Sequence, residues 1–107
     1  MKRGAMEAIQ EELQAERVAA LARIAARFEV ALETWLALEA GTLPPLDSLR
    51  AQLARRLELR EVTAEALWML LVQREAMGLR DHRTVLERVP QEIRLRAGPR
   101  RRHSAQV

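Results

Sequence analysis

Apolar residues recur every three or four positions along most of the chain, a spacing that is typical of amphipathic helices. The clearest run extends from Leu21 to Leu38, where apolar positions advance in steps of three and four residues. Glycines and prolines fall where this periodicity pauses, and β-branched and aromatic residues are sparse. The pattern therefore predicts an all-α fold.

The first predicted helix is unusually long. It runs from Met6 to Ala40, because no Gly or Pro interrupts it and Gly41 is suited to cap its carboxyl end. At ~1.5 Å per residue it would be on the order of 50 Å long, well beyond the ~30 Å width of a small domain. Ile9 and Leu13 carry the apolar stripe into its amino-terminal half.

The second helix is expected to begin after Pro44 and Pro45, with Asp47 near its amino-terminal dipole, and to end near Arg60. It should fold back on the first helix as an antiparallel hairpin. Its apolar stripe consists of leucines: Leu46, Leu49, Leu53 and Leu57. The hairpin would also set acidic residues of the first helix beside basic residues of the second: Glu29 and Glu33 with Arg50, Arg55 and Arg56.

A third helix is expected from Thr63, a suitable N-cap residue, to just before Gly78. Its centre, residues 66–72, is apolar on every face, which is typical of a helix buried on several sides. Trp68 of this helix and Trp35 of the first helix are expected to anchor the core or an interface.

Shorter helices should complete the fold. Asp81 is the expected N-cap of a short fourth helix that extends through Val89, and Pro90 begins a last turn or two with Ile93 and Leu95. The predicted architecture is thus a long amino-terminal helix in an antiparallel hairpin with a second helix, a buried third helix, and one or two short carboxyl-terminal helices.

The amino-terminal half of the first helix lacks an obvious cover, because the second helix would reach only about half of the first. Either the later helices fold back over it or a second chain packs on it. Its charges are banded, acidic in residues 7–16 and basic in residues 17–27. In-register parallel pairing would oppose like charges, so an antiparallel or offset homodimer is favoured. The predicted partner interface consists of Ile9, Leu13, Leu21, Ile24 and Phe28.

Composition and charge indicate one folded unit with a basic tail. The 107 residues are 49% hydrophobic and 31% charged, values typical of a single globular domain, expected over residues 1–98. Residues 1–93 carry 13 basic and 15 acidic side chains, whereas residues 94–107 carry five arginines and no acid. Residues 99–107 are therefore expected to be a disordered basic tail.

The tail provides the alternative function, non-specific binding of nucleic acid or another polyanion. The residues expected to contact phosphates are Arg96, Arg100, Arg101 and Arg102. A recognisable helix-turn-helix, a zinc motif and a stacking aromatic in the tail are all missing from the sequence, so base-specific recognition is not expected.

Export and membrane insertion are not expected. The chain has no cysteine, which excludes disulfides and thiolate metal sites and fits a reducing compartment. Acidic residues follow Lys2 and Arg3 before any apolar signal-peptide core can form, and no run approaches the ~18 apolar residues of a membrane span. These features predict a cytoplasmic protein.

Catalytic, metal-binding and cofactor motifs are also missing from the sequence. Neither histidine has a glutamate three residues before it, as di-iron bundles require, and no zinc-protease motif or glycine-rich phosphate loop is present. No enzymatic activity, cofactor or metal is therefore predicted.

One polar patch follows the apolar run of the third helix: Gln73, Arg74, Glu75, Asp81 and His82. Such a patch can be a binding site. Ion pairing and capping where the helix emerges into solvent is the preferred interpretation.

The string from Trp68 to His82, Trp-Met-Leu-Leu-Val-Gln-Arg-Glu-Ala-Met-Gly-Leu-Arg-Asp-His, resembles short helical proteins of an uncharacterised bacterial family. The resemblance extends to Pro90. It implies a bacterial helical domain and no activity that could be assigned to a residue. The prediction of function comes instead from the uncovered half of the first helix. It is a helical interaction or assembly protein that acts as a homo-oligomer.

Overall fold

The computed structural model describes the backbone of residues 2–99 and the side chains from Gly4 onward. Within this range the chain forms four helices and no strand, so the all-α prediction is confirmed. The helices are α1 (Lys2–Ala40), α2 (Leu49–Ala76), α3 (Arg83–Leu86) and α4 (Gln91–Arg96). α1 and α2 pack as the predicted antiparallel hairpin, and α4 packs against α2.

α1 is a single unbroken helix of 39 residues, about 58 Å long at ~1.5 Å per residue. It ends at Gly41, as predicted. The amides of Gly41 and Thr42 donate to the carbonyls of Leu38 and Ala37 over 3.1 and 2.9 Å. This capping arrangement requires a left-handed residue, and Gly41 has a φ of 74°.

The predicted break between a second and a third helix is wrong, because α2 continues through it. Thr63 is not an N-cap; it is buried inside α2. Its hydroxyl donates to the carbonyl of Leu59 over 2.7 Å and lies 3.3 Å from the carbonyl oxygen of Ala31 in α1. A hydroxyl bonded one turn back is compatible with a continuing helix. The buried third helix is therefore the carboxyl-terminal half of α2.

α2 also begins later than predicted. Pro44, Pro45 and Asp47 belong to the connecting loop, and the N-cap is Ser48. The Ser48 hydroxyl oxygen accepts a hydrogen bond from the amide of Ala51 over 3.0 Å. An N-cap hydroxyl satisfies one of the amides that the first turn of a helix leaves unpaired.

The core lies between the carboxyl-terminal halves of α1 and α2 and is closed on one side by the last segment of the chain. Its aromatic members, Phe28 and Trp35, are fully buried. Around them packs a cluster from three parts of the chain: Leu32 of α1, Ala64, Leu67 and Leu70 of α2, Val89 before α4, and Ile93 of α4.

The leucine stripe predicted to bury α2 faces solvent instead. Leu49, Leu53 and Leu57 are 80%, 56% and 44% exposed. α2 carries two apolar stripes, and α1 packs against the one that includes Leu67. The centre of the carboxyl-terminal half of α2 is not buried on every side either, because Trp68 is only half-buried.

Ion pairs between the helices also differ from the expected set. Arg88 donates to both carboxylate oxygens of Glu29, each over 2.6 Å. These hydrogen bonds hold the pKa of Glu29 below its usual value. Arg56 lies over the Trp35 ring, 4.8 Å from its centroid, and donates to Glu92 over 2.7 Å. The predicted pairing of Glu29 and Glu33 with Arg50, Arg55 and Arg56 is therefore wrong.

The segment after α2 contains fewer helical residues than predicted. α3 has only four residues, and its N-cap position is His82 rather than Asp81. The Asp81 carboxylate nevertheless accepts a hydrogen bond from the amide of Arg83 over 3.1 Å. α4 follows Pro90, as expected, and buries Ile93 while Leu95 stays 77% exposed.

Candidate functional site

The amino-terminal half of α1 extends beyond the hairpin. Every described side chain from Gly4 to Ala19 is exposed, and burial begins at Ala20. We call the segment Gly4–Ala19 the arm. Met6, Ile9 and Leu13 are 59%, 54% and 49% exposed and lie three and four residues apart, on one face of the arm. The arm therefore presents an apolar stripe that the described part of the chain does not cover.

The predicted partner interface divides into three parts. Ile9 and Leu13 lie on the arm and are available to a partner. Leu21 and Ile24 are half-buried and pack against the core. Phe28 is fully buried in that core, so the structure corrects its placement on a partner surface. The accessible interface is thus shifted toward the amino end of α1.

A groove runs between α1 and α2 and encloses about 720 Å³. Three exposed apolar side chains mark it: Val30 of α1, 64% exposed, and Val62 and Met69 of α2, 50% and 48% exposed. We define the groove by its lining, which is mostly apolar: Ile24, Ala26, Arg27, Val30, Ala31, Thr34, Leu59, Glu61, Val62, Thr63, Glu65, Ala66 and Met69.

The two rims of the groove have opposite charge. Arg27 lies on the α1 rim, and Arg23 follows one turn away on the same helix. Glu61 and Glu65 lie on the α2 rim. Glu61 is joined to Arg96 of α4 by two hydrogen bonds to the guanidinium group. A helix seated in the groove would therefore meet basic side chains on α1, whereas the Glu61 carboxylate on α2 is already bonded to Arg96.

Four members of the predicted polar patch come together at the end of α2. Arg74 Nε donates to His82 Nδ1 over 3.2 Å, and His82 Nε2 lies 3.0 Å from a carboxylate oxygen of Glu75. The tautomer in which Nδ1 accepts from Arg74 has its proton on Nε2, where it can donate to Glu75. Arg74 also donates to the carbonyl of Asp81 over 2.9 Å.

These bonds hold the turn between α2 and α3 against the end of α2. The Asp81 side chain points away to Arg83, whose hydrogen bonds lower the pKa of the Asp81 carboxyl. Gln73 is half-buried nearby in sequence but joins none of these bonds. The patch residues therefore bond to one another where α2 ends, and a binding role for the patch stays a prediction.

The predicted polyanion-binding residues are mostly outside the described range. Arg100, Arg101 and Arg102 lie beyond residue 99. Arg96 is held by Glu61, and these hydrogen bonds raise the pKa of its guanidinium. The predicted disordered tail, residues 99–107, likewise lies outside the described residues apart from Pro99.

Neither α1 nor α2 contains a stretch of 18 residues apolar enough to cross a membrane. Across residues 2–99, no three acidic or histidine side chains are grouped closely enough to hold a metal ion.

No family model matches this chain, and neither a curated protein nor a solved structure is significantly similar to it. The resemblance of residues 68–90 to an uncharacterised bacterial family stays a prediction.

The groove was missed at the sequence level. Its α2 wall is built by Val62, Ala66 and Met69, which are spaced four and three residues apart. Because every residue from 66 to 72 is apolar, the spacing does not distinguish the residues that face the groove from those that face the core. A second apolar stripe beside the core stripe was the available signal.

Proposed function

We propose that this chain is a helical association protein that acts as a homodimer through the amino-terminal half of α1. The single observation that supports the proposal most strongly is the complete exposure of the arm, including the stripe of Met6, Ile9 and Leu13. A helix of this length without tertiary contacts is only marginally stable in water, because helices gain most of their stability from packing.

The shape of the molecule supports the same conclusion. Its Cα radius of gyration is 18.3 Å. A compact domain of this length would have a radius of about 13 Å. The excess reflects a hairpin whose longer helix extends past its partner helix. A second copy would cover the extended part and restore a compact cross-section.

The apolar stripe contributes part of the free energy that association requires. Burying a large aliphatic side chain that is half-exposed contributes roughly 1 kcal/mol. Two copies contribute three such residues each, so the stripe alone supplies several kcal/mol against the entropic cost of association. A micromolar dissociation constant requires about 8 kcal/mol net, so the surface against which the stripe packs must contribute as well.

Light scattering coupled to gel filtration tests the proposal with two matched substitutions in the arm. Leu13→Glu places a charge in the apolar stripe, whereas Val18→Glu places the same charge on another face of the arm, at a residue that is 52% exposed. We expect the wild type and Val18→Glu to be dimers and Leu13→Glu to be a monomer. A monomeric wild type, or equal effects of the two substitutions, would overturn the proposal.

A further inference from the structure

The groove and the arm fit each other, although they cannot meet within one chain. Both lie on α1, since the groove begins at Ile24 and the arm ends at Ala19. A straight helix cannot fold its own amino end into a groove on its side. An arm can therefore reach a groove of this kind only from another copy.

The lengths agree. The groove follows α1 from Ile24 to Thr34, which is about 16 Å at ~1.5 Å per residue. The segment of the arm from Met6 to Glu16 has the same number of residues. Its apolar stripe of Met6, Ile9 and Leu13 spans about two turns, enough to run along the groove.

The charges agree as well. On the arm, Glu12 and Glu16 each lie three residues beyond a member of the stripe, so they border its apolar face. On the α1 rim of the groove, Arg23 and Arg27 occupy the corresponding border. An antiparallel arm would bring these acidic and basic borders together.

The other border of the arm's apolar stripe carries no charge that would repel the α2 rim of the groove. Gln10 and Gln14 flank the stripe on that side, and Arg17 follows them. None of the three is acidic, so Glu61 and Glu65 on the α2 rim would meet no like charge.

We propose that each copy inserts its arm, antiparallel to α1, into the α1–α2 groove of the other copy, so that the dimer contains two reciprocal groove contacts. Leu13 of one copy then packs beside Ile24 of the other, and Met6 beside Ala31. Glu12 lies between Arg23 and Arg27. Each end of the dimer becomes a three-helix packing of α1, α2 and the second copy's arm. The inference rests on the proposed function and specifies its partner and orientation.

Reversing charges on one border at a time tests the orientation. The arm variant is Glu12→Arg with Glu16→Arg, and the rim variant is Arg23→Glu with Arg27→Glu. Each variant alone opposes like charges at both contacts, so its dimer should dissociate at least about tenfold more readily than the wild-type dimer. In an equimolar mixture of the arm variant and the rim variant, each arm of the heterodimer meets a rim of opposite charge. The heterodimer should therefore regain wild-type affinity within about threefold.

The matched control for the arm variant is Glu11→Arg with Glu87→Arg, which makes the same change of net charge at exposed residues outside the stripe and the groove lining. It should leave the dimer affinity unchanged. Helix content measured by circular dichroism shows that each variant is folded. Failure of the mixture to form a heterodimer would overturn the antiparallel insertion.

Substitutions on α2 test the groove itself. Val62→Glu and Met69→Glu each place a charge in the groove. Leu53→Glu places a charge at a similarly exposed leucine of α2 that lies outside the groove. The first two should weaken the dimer at least about tenfold and the third should not. A dimer that Leu13→Glu disrupts but Val62→Glu and Met69→Glu leave intact would overturn the groove inference and leave the proposed function standing. A monomeric wild type would remove both.

Discussion

Thr63 is the one polar residue that is buried among the described residues, and its hydroxyl joins the two long helices. It donates to Leu59 within α2 and lies close to the carbonyl oxygen of Ala31 in α1. A buried hydroxyl is stable only where such acceptors are present. Thr63 therefore adds a polar contact between α1 and α2 beside the apolar core, at the edge of the groove.

Replacing Thr63 by Val, which keeps the shape and removes the hydroxyl, should lower the free energy of unfolding by about 1 kcal/mol. Urea unfolding measures the loss. Thr34→Val is the control, because the Thr34 hydroxyl bonds only within α1, to Val30 over 2.9 Å. The control should lose less than about 0.5 kcal/mol. Equal losses at the two sites would contradict the role of Thr63 between the helices.

The ion pair of Glu29 with Arg88 makes stability depend on pH. Arg88 lowers the pKa of Glu29 in the folded protein, so the stabilisation is present at neutral pH and is lost as the pH falls through the folded-state value. Both side chains are about half exposed, which limits the contribution to roughly 0.5 kcal/mol. Glu29→Gln should therefore lower stability at about pH 7 and lower it by less at about pH 3.

Urea midpoints at the two pH values check this prediction. Glu33→Gln provides the comparison, since Glu33 is exposed on the same helix. A difference between wild type and Glu29→Gln that is the same at both pH values would show that the ion pair is not its cause.

The carboxyl ends of α1 and α2 are both capped by a glycine in the left-handed conformation. Gly41 and Gly78 have φ values of 74° and 83°, and each lies directly after the last turn of its helix. Gly41→Ala meets no steric obstacle but forces a side chain into a left-handed conformation. It should lower the free energy of unfolding by about 1 kcal/mol.

Gly98→Ala is the control, because Gly98 has no positive φ and open space around it. Urea unfolding should show little change for this variant. Should Gly41→Ala be equally neutral, the cap would not stabilise the end of α1.

At this scale the sequence predicted α1 well and α2 poorly, for physical reasons. From Met6 onward α1 has no Gly or Pro and it ends at a glycine cap, and both signals are local. Its start was predicted four residues late, because Gly4 does not interrupt the helix. In α2, Thr63 has the composition of an N-cap, and only its packing against Ala31 makes it an interior residue. The leucine stripe that includes Leu53 is as apolar as the buried stripe, so periodicity could not decide which one faces α1.

The candidate site divides in the same way. Ile9 and Leu13 were predicted because an arm longer than its cover follows from helix lengths alone. Phe28 was misplaced because the same stripe continues from the arm into the core, and sequence spacing does not show where the cover begins. The groove requires the angle between α1 and α2, which no local pattern contains.

At the scale of the whole molecule, the hairpin is asymmetric. α2 and the last segment cover only the carboxyl-terminal half of α1, and the longest dimension of the molecule is 67 Å. The arm and the groove are two apolar surfaces that this asymmetry leaves open. One association between copies would cover both of them.

Removing residues 1–17 separates folding from association. The core contains no residue before Leu21, so the shortened chain should keep a cooperative unfolding transition. It lacks the arm and should be a monomer at every concentration. Loss of the transition would show instead that the arm is needed to fold the hairpin.

Sedimentation equilibrium of the intact 107-residue chain beside this shortened chain is the most direct measurement of the central claim. With rising concentration the intact chain should approach twice its mass of 12.2 kDa, while the shortened chain keeps the mass of one copy. A constant mass of 12.2 kDa for the intact chain would contradict the account, as would a dimer that persists without the arm.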